Sequence, residues 1–175
     1  MKKITILLTI LIFYSCLNGQ SNTTKEISNS INTESSTYYF VRHAEKNTEQ
    51  TDNPDLLPDG EIRAANYANY FKNIKLDAVY SSNFTRTLET AKPTANAQNL
   101  ETIVYNHSAI DYKKFLEDTK NQTVFIVGHS NTIPNFVNTI IGENFYDEID
   151  ESIYNHLYIV TLSNFGKKHE LKKLD

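Results

Sequence analysis

Thr123-Val124-Phe125-Ile126-Val127 is an unbroken apolar run rich in β-branched residues. A strand without polar alternation must be covered on both faces, which points to a sheet with helices packed on each side. Four more β-prone runs accompany it: Tyr38–Val41, Leu76–Tyr80, Thr102–Tyr105 and Leu157–Thr161. Between them, Ala64, Ala68 and Phe71 recur at i, i+4, i+7, and Ile133, Phe136, Val137, Ile140 and Ile141 at i, i+3, i+4, i+7, i+8, the spacing of helix faces. Pro134 falls in the first turn of the second helix, where proline is tolerated. Strands alternating with helices imply an α/β fold, a three-layer sandwich around a mostly parallel central sheet, whose ligands bind off the carboxyl ends of the strands. There is no internal repeat.

The length of 175 residues, 39% of them apolar, suits one globular domain. Residues 1–15 read as an export signal, with Lys2-Lys3 ahead of an apolar stretch from Ile4 to Tyr14 that is too short to span a bilayer permanently. Cys16, the single cysteine, follows Ser15 directly after that stretch. This resembles a bacterial lipoprotein cleavage site, at which Cys16 would be lipidated and tether the protein to a membrane. Phe13 stands where an aliphatic residue is usual, which keeps plain secretory cleavage as the alternative. Residues 16–36, rich in Ser, Thr and Asn, are expected to form a flexible tether, and residues 37–175 the folded domain. Without residues 1–15 the formal charge is −6, which argues against a nucleic-acid partner.

Three motifs follow apolar runs: Arg42-His43-Ala44-Glu45; Ser82 with Arg86, Thr90 and Ala91; and Gly128-His129-Ser130-Asn131. Strands ending there could bring two guanidiniums and two imidazoles to one edge of the sheet. Of 17 Lys and Arg residues only Arg42, Arg63 and Arg86 are arginines, so two of the three fall in this group. Arginine's planar five-donor fork grips phosphate oxygens in pairs, which a lysine point charge does not. Imidazole, with an ordinary pKa of about 6.5, offers a largely neutral nucleophilic nitrogen at pH 7 without a metal. No cluster of carboxylates or cysteines has metal-ligand spacing, so no cofactor is expected.

In order and spacing these motifs resemble those of the histidine phosphatase superfamily, the phosphoglycerate mutase-like fold. Leu57-Pro58-Asp59-Gly60-Glu61-Ile62-Arg63-Ala64 is similar to a further segment of that family, with Pro58 in place of its threonine. The resemblance implies that His43 is the nucleophile and becomes a phosphohistidine. It also implies that Arg42, Arg86 and His129 hold the phosphoryl oxygens, with His129 protonated beside the bound dianion.

Other residues carry alternatives. Ser82 either touches phosphate or caps the following helix, and Asn131 either orients the site or opens the next helix. Larger members of the family supply a carboxylate that protonates the leaving oxygen. The candidates for that acid are Asp111, equally readable as a helix N-cap, Glu45, readable as part of the pocket rim, and more remotely Asp118. Arg63 is expected to pair with an acid on its own helix, and His107, His156 and His169 to be structural or solvated. The function implied is an exported, membrane-anchored phosphatase acting on a phosphorylated small molecule or phosphoprotein. A phosphoglycerate-type mutase is disfavoured, because the chain lacks the long substrate-capping insertion and carries an export signal. A non-catalytic phospho-ligand or protein-binding surface lipoprotein would be marked by a missing nucleophile or clamp residue, and none is missing.

Overall fold

The computed structural model describes residues 34–50 and 52–174. The export signal, Cys16 and most of the expected tether lie outside them. A six-stranded sheet runs in the order β3-β2-β4-β1-β5-β6, built from β1 (Ser35–Arg42), β2 (Ala78–Ser82), β3 (Thr102–Tyr105), β4 (Thr123–Gly128), β5 (His156–Ser163) and β6 (Gly166–Lys173). Strands β1 to β4 are mutually parallel, while β5 and β6 join antiparallel at one side. The helices are α1 (Pro58–Tyr70), α2 (Thr85–Gln98), α3 (Tyr112–Asp118) and α4 (Thr132–Ile141). Strand β1 starts two residues inside the expected tether, because Ser35 and Ser36 pair with Ser163 and Leu162 of β5.

The alternation of side chains along the buried strands separates two cores. Tyr38, Phe40, Val124, Ile126, Tyr158 and Val160 face the layer that holds Phe115 of α3 and Ile133, Phe136, Val137 and Ile140 of α4. Val41, Phe125, Val127, Leu157 and Ile159 face Tyr67 of α1 and Ala91 and Ala95 of α2. Strand β4 contributes to both, as its unbroken apolar run requires. Parallel register brings the strand ends together, with Arg42 opposite Gly128, Ser81 opposite Val127 and Ser82 opposite Tyr105. The motif residues therefore emerge side by side along one edge. Two glycines permit close approach there. A Cβ on Gly128 would meet the Tyr105 hydroxyl and Ile133 Cδ1, each at 2.8 Å, and one on Gly60 would strike the Glu45 backbone, against which the start of α1 packs.

Candidate active site

His43 leaves β1 with its backbone N–H donating to the Gly128 carbonyl at 2.9 Å, which prolongs the sheet ladder by one residue. The next amide, of Ala44, donates to Thr90 Oγ1 at 2.9 Å, and that hydroxyl donates to the Arg86 carbonyl at 2.6 Å. The spacing from Arg86 to Thr90 is thus one helical turn that fastens the loop after β1 to α2. His43 Nδ1 lies 2.8 Å from the Ala44 carbonyl, which has only acceptor capacity, so Nδ1 carries the proton and Nε2 keeps its lone pair. Burial, with Arg42, Arg86 and Lys46 nearby, lowers the His43 pKa to about 3. The ring is neutral throughout the physiological range.

Arg42 is 1% exposed and held on all sides but one. Its Nη1 donates to the Asp150, Glu151 and Ile153 carbonyls at 3.2, 2.9 and 3.1 Å, its Nη2 pairs with the Glu151 carboxylate, and its guanidinium lies over the Tyr154 ring at 4.2 Å. Nε has no partner, although it is buried. An uncommitted buried N–H is costly, so this donor stands without its usual compensation. Arg86 shows the same signature: Nε is buried without a partner, Nη2 stands 3.4 Å from His129 Nδ1, and the guanidinium covers Phe84 at 4.5 Å.

His129 is fixed by a hydroxyl relay. Thr87 Oγ1 donates to the Ser82 and Phe84 carbonyls, Ser82 Oγ donates to Thr87 Oγ1 at 3.1 Å, and His129 Nε2 stands 2.9 Å from Ser82 Oγ. With the Ser82 proton committed to Thr87, His129 Nε2 is the donor and Nδ1 faces Arg86 with its lone pair. Burial, with Arg86, His43, His107 and Arg42 around it, lowers the His129 pKa to about 3. Without a bound anion His129 is therefore neutral, and the protonated ring expected beside a dianion concerns the occupied site. The two imidazole centroids are 5.7 Å apart. Ser82 does not cap α2, whose N-cap is Phe84 with no side-chain cap bond; it positions His129.

A cavity of about 410 Å³ is lined by His43, Arg86 and His129 together with Lys46, Phe84, His107, Ser130, Asn131, Thr132, Glu148 and Glu151, while buried Arg42 is not among its lining residues. Asn131 both lines it and sits at the N-cap of α4, without a side-chain cap bond. Neither favoured acid candidate is among the lining residues. Asp111 accepts from the Lys114 amide at 3.0 Å as the N-cap of α3. Glu45 accepts from Arg63 Nε and Nη2 at 2.7 to 3.0 Å, and although burial opposes it, the Arg63 contact holds its carboxyl below the usual range. Arg63 accordingly pairs with the loop after β1 and not with an acid of its own helix. Asp118 is bound to Lys114 on the surface of α3. The carboxylates in the cavity come from the segment 142–155, which follows the third motif. His107, expected to be structural or solvated, lies 5.1 Å from the His129 ring centroid and lines the cavity. His169 and Tyr146 are joined at 2.9 Å away from the cavity-lining set, and His156 is likewise absent from that set.

Residues 38–107 match the family model described as the histidine phosphatase superfamily (branch 1). No curated protein matches the sequence. Several solved structures are similar in fold. A phosphoserine phosphatase variant from Entamoeba histolytica in complex with phosphoserine is 15% identical at a TM-score of 0.59, covering 77% of this chain and 94% of that one. The protein histidine phosphatase SixA complexed with tungstate is 17% identical at 0.62, covering 78% and 96%. A mycobacterial glucosyl-3-phosphoglycerate phosphatase is 10% identical at 0.61, covering 79% and 98%.

Proposed function

We propose, on the premise that the chain is a member of the histidine phosphatase superfamily, that it hydrolyses phosphorylated substrates in two steps through a phosphohistidine on His43. The observation that carries this reading is the tautomer. The Ala44 carbonyl holds the proton on Nδ1 and burial keeps the ring neutral, so Nε2 is a free nucleophile in a ring that lines the cavity. Nε2 attacks phosphorus, the bond to the leaving oxygen breaks, and water then displaces the phosphoryl group from nitrogen. Arg42 and Arg86 offer the partnerless Nε–H donors to the equatorial oxygens, where charge spreads in the transition state. Binding of the dianion draws a proton onto His129 Nδ1, which turns an acceptor into a third donor. The amides at the start of α4, beside Asn131 and Thr132, add the positive end of a helix to the same field.

Positive charge at the site is supplied by Arg42, Arg86 and Lys46, which supports hydrolysis without a metal ion. Among the described residues, no group of three or more His, Cys, Asp or Glu side chains could hold one. The cavity admits a small phosphoester or a phosphorylated side chain presented by a protein. Phosphorylated small molecules and phosphoproteins are accordingly the proposed substrates, the same two classes named for proteins of similar fold. Attachment to a membrane through Cys16 is supported by the sequence pattern alone. Mixing the protein with a ³²P-labelled phosphoester and quenching without acid should trap a phosphoenzyme that is base-stable and acid-labile, and His43→Ala should trap none. An acid-stable adduct would refute the histidine mechanism.

A further inference from the structure

Among the described residues, two carboxylates line the cavity, Glu148 and Glu151, and Glu151 pairs with Arg42. Three carbonyls use the hydrogens of Arg42 Nη1, and Glu151 takes one hydrogen of Nη2. The guanidinium therefore keeps two donors for phosphate, Nε–H and the second Nη2–H. A phosphoryl oxygen on that second hydrogen would share a nitrogen with Glu151. Two acceptors on one planar NH₂ group stand about 5 Å apart, which puts the carboxylate beside the phosphoryl group. Its other oxygen accepts from Ser130 Oγ at 2.5 Å, next in sequence to His129.

Depth gives the direction. Both residues line the cavity, but His43 is 3% exposed whereas the Glu151 side chain is 69% exposed, so Glu151 stands nearer the solvent. In-line displacement sends the leaving oxygen away from the attacking nitrogen, toward the side on which Glu151 stands, and water enters from there in the second step. The carboxylate is also anchored. The Ile149 amide donates to the Ser130 carbonyl at 3.0 Å, Ile149 is buried, and Arg42 grips three carbonyls of the same segment.

We propose that Glu151 is the general base of this site, taking a proton from the water that attacks the phosphohistidine. The inference rests on the phosphohistidine reading above. In hydrolysis the water oxygen bonds to phosphorus, the N–P electron pair returns to His43 Nε2, and the proton passes to Glu151 as hydrogen phosphate forms. The Ser130 hydrogen bond, with Arg42 and Lys46 nearby, outweighs burial and holds the carboxyl below its ordinary value, so it enters the hydrolytic step as a base.

Glu151→Gln tests this with p-nitrophenyl phosphate, whose leaving group needs little protonation. Steady-state turnover should fall by roughly 10²–10³-fold. Rapid mixing should show a burst of p-nitrophenolate approaching one per protein, with phosphohistidine accumulating. Inorganic phosphate should bind severalfold more tightly, because a negative charge beside Arg42 is gone. Ser130→Ala, which loosens the carboxylate without removing it, should slow the same step by roughly 10-fold. A residue that merely held Arg42 would weaken phosphate binding and give no burst, and that result, or unchanged turnover, would overturn the assignment. Failure to trap phosphohistidine in the wild type would remove the underlying mechanism as well. Wild-type trapping without accumulation in Glu151→Gln removes the Glu151 role alone.

Discussion

Lowering the pH from 7 to 5 should destabilise this protein by about 4 kcal/mol more than a variant in which His43 and His129 are both glutamine. Each ring has a folded pKa near 3 against an ordinary 6.5, caused first by burial and then by neighbouring cations. Between those values the unfolded chain binds a proton that the folded chain refuses, so stability rises with pH across that window and is lost as pH falls below 6.5. At pH 5 an ordinary imidazole is about 97% protonated, and holding it neutral costs about 2 kcal/mol for each ring. Both residues are at least nine-tenths buried, so solvent screening reduces this little. Urea denaturation of both proteins at pH 7 and pH 5 measures the difference directly, and carboxylate contributions common to both cancel. Parallel pH slopes in the two proteins would refute the claim that both imidazoles are neutral. It would undermine with it the account of His43 as a ready nucleophile. Phosphate should restore part of the loss at pH 5, since a bound phosphate anion favours the protonated form of His129.

Three further outcomes follow from the site. Asp111→Ala should cost about 1 kcal/mol of stability through the lost cap of α3 while leaving kcat and KM unchanged, and a 10²-fold fall in kcat would return Asp111 to the chemistry. Ser82→Ala should break the relay from Thr87 to His129, lower kcat/KM by roughly 10-fold and cost about 1–2 kcal/mol of stability as His129 Nε2–H loses its acceptor, as read by steady-state assay and denaturation together. Cys16→Ser should move the protein from the membrane fraction to the soluble exported fraction on cell fractionation, and an unchanged distribution would favour plain secretory cleavage or none.

Local sequence determined the sheet strands that matter and the groups they deliver. The β-branched and aromatic run Val124–Val127 suits a strand covered on both faces, because no polar residue interrupts it. Each of Arg42, His43, Ser82 and His129 stands within one residue of the end of a parallel strand, so their meeting at one edge follows from chain direction alone. Strand β6 was not legible. Its sequence Gly166–Lys173 carries four lysines, pairs with a single neighbour and buries little, so it has no apolar signature to read.

The roles that depend on several segments at once were decided only in three dimensions. Glu45 and Asp111 were reasonable acids by their distance from the motifs. Arg63 claims the first and the amide of Lys114 the second, and neither partner can be seen in a linear pattern. Glu151 lies 108 residues after His43 in an acidic segment of ordinary surface composition; what brings it to the site is the grip of buried Arg42 on backbone carbonyls and of Ile149 on Ser130. Carbonyl positions leave no mark in sequence. The charge state of His129 is likewise collective, since burial and four neighbouring groups lower its pKa together, and only their assembly in space fixes the sum.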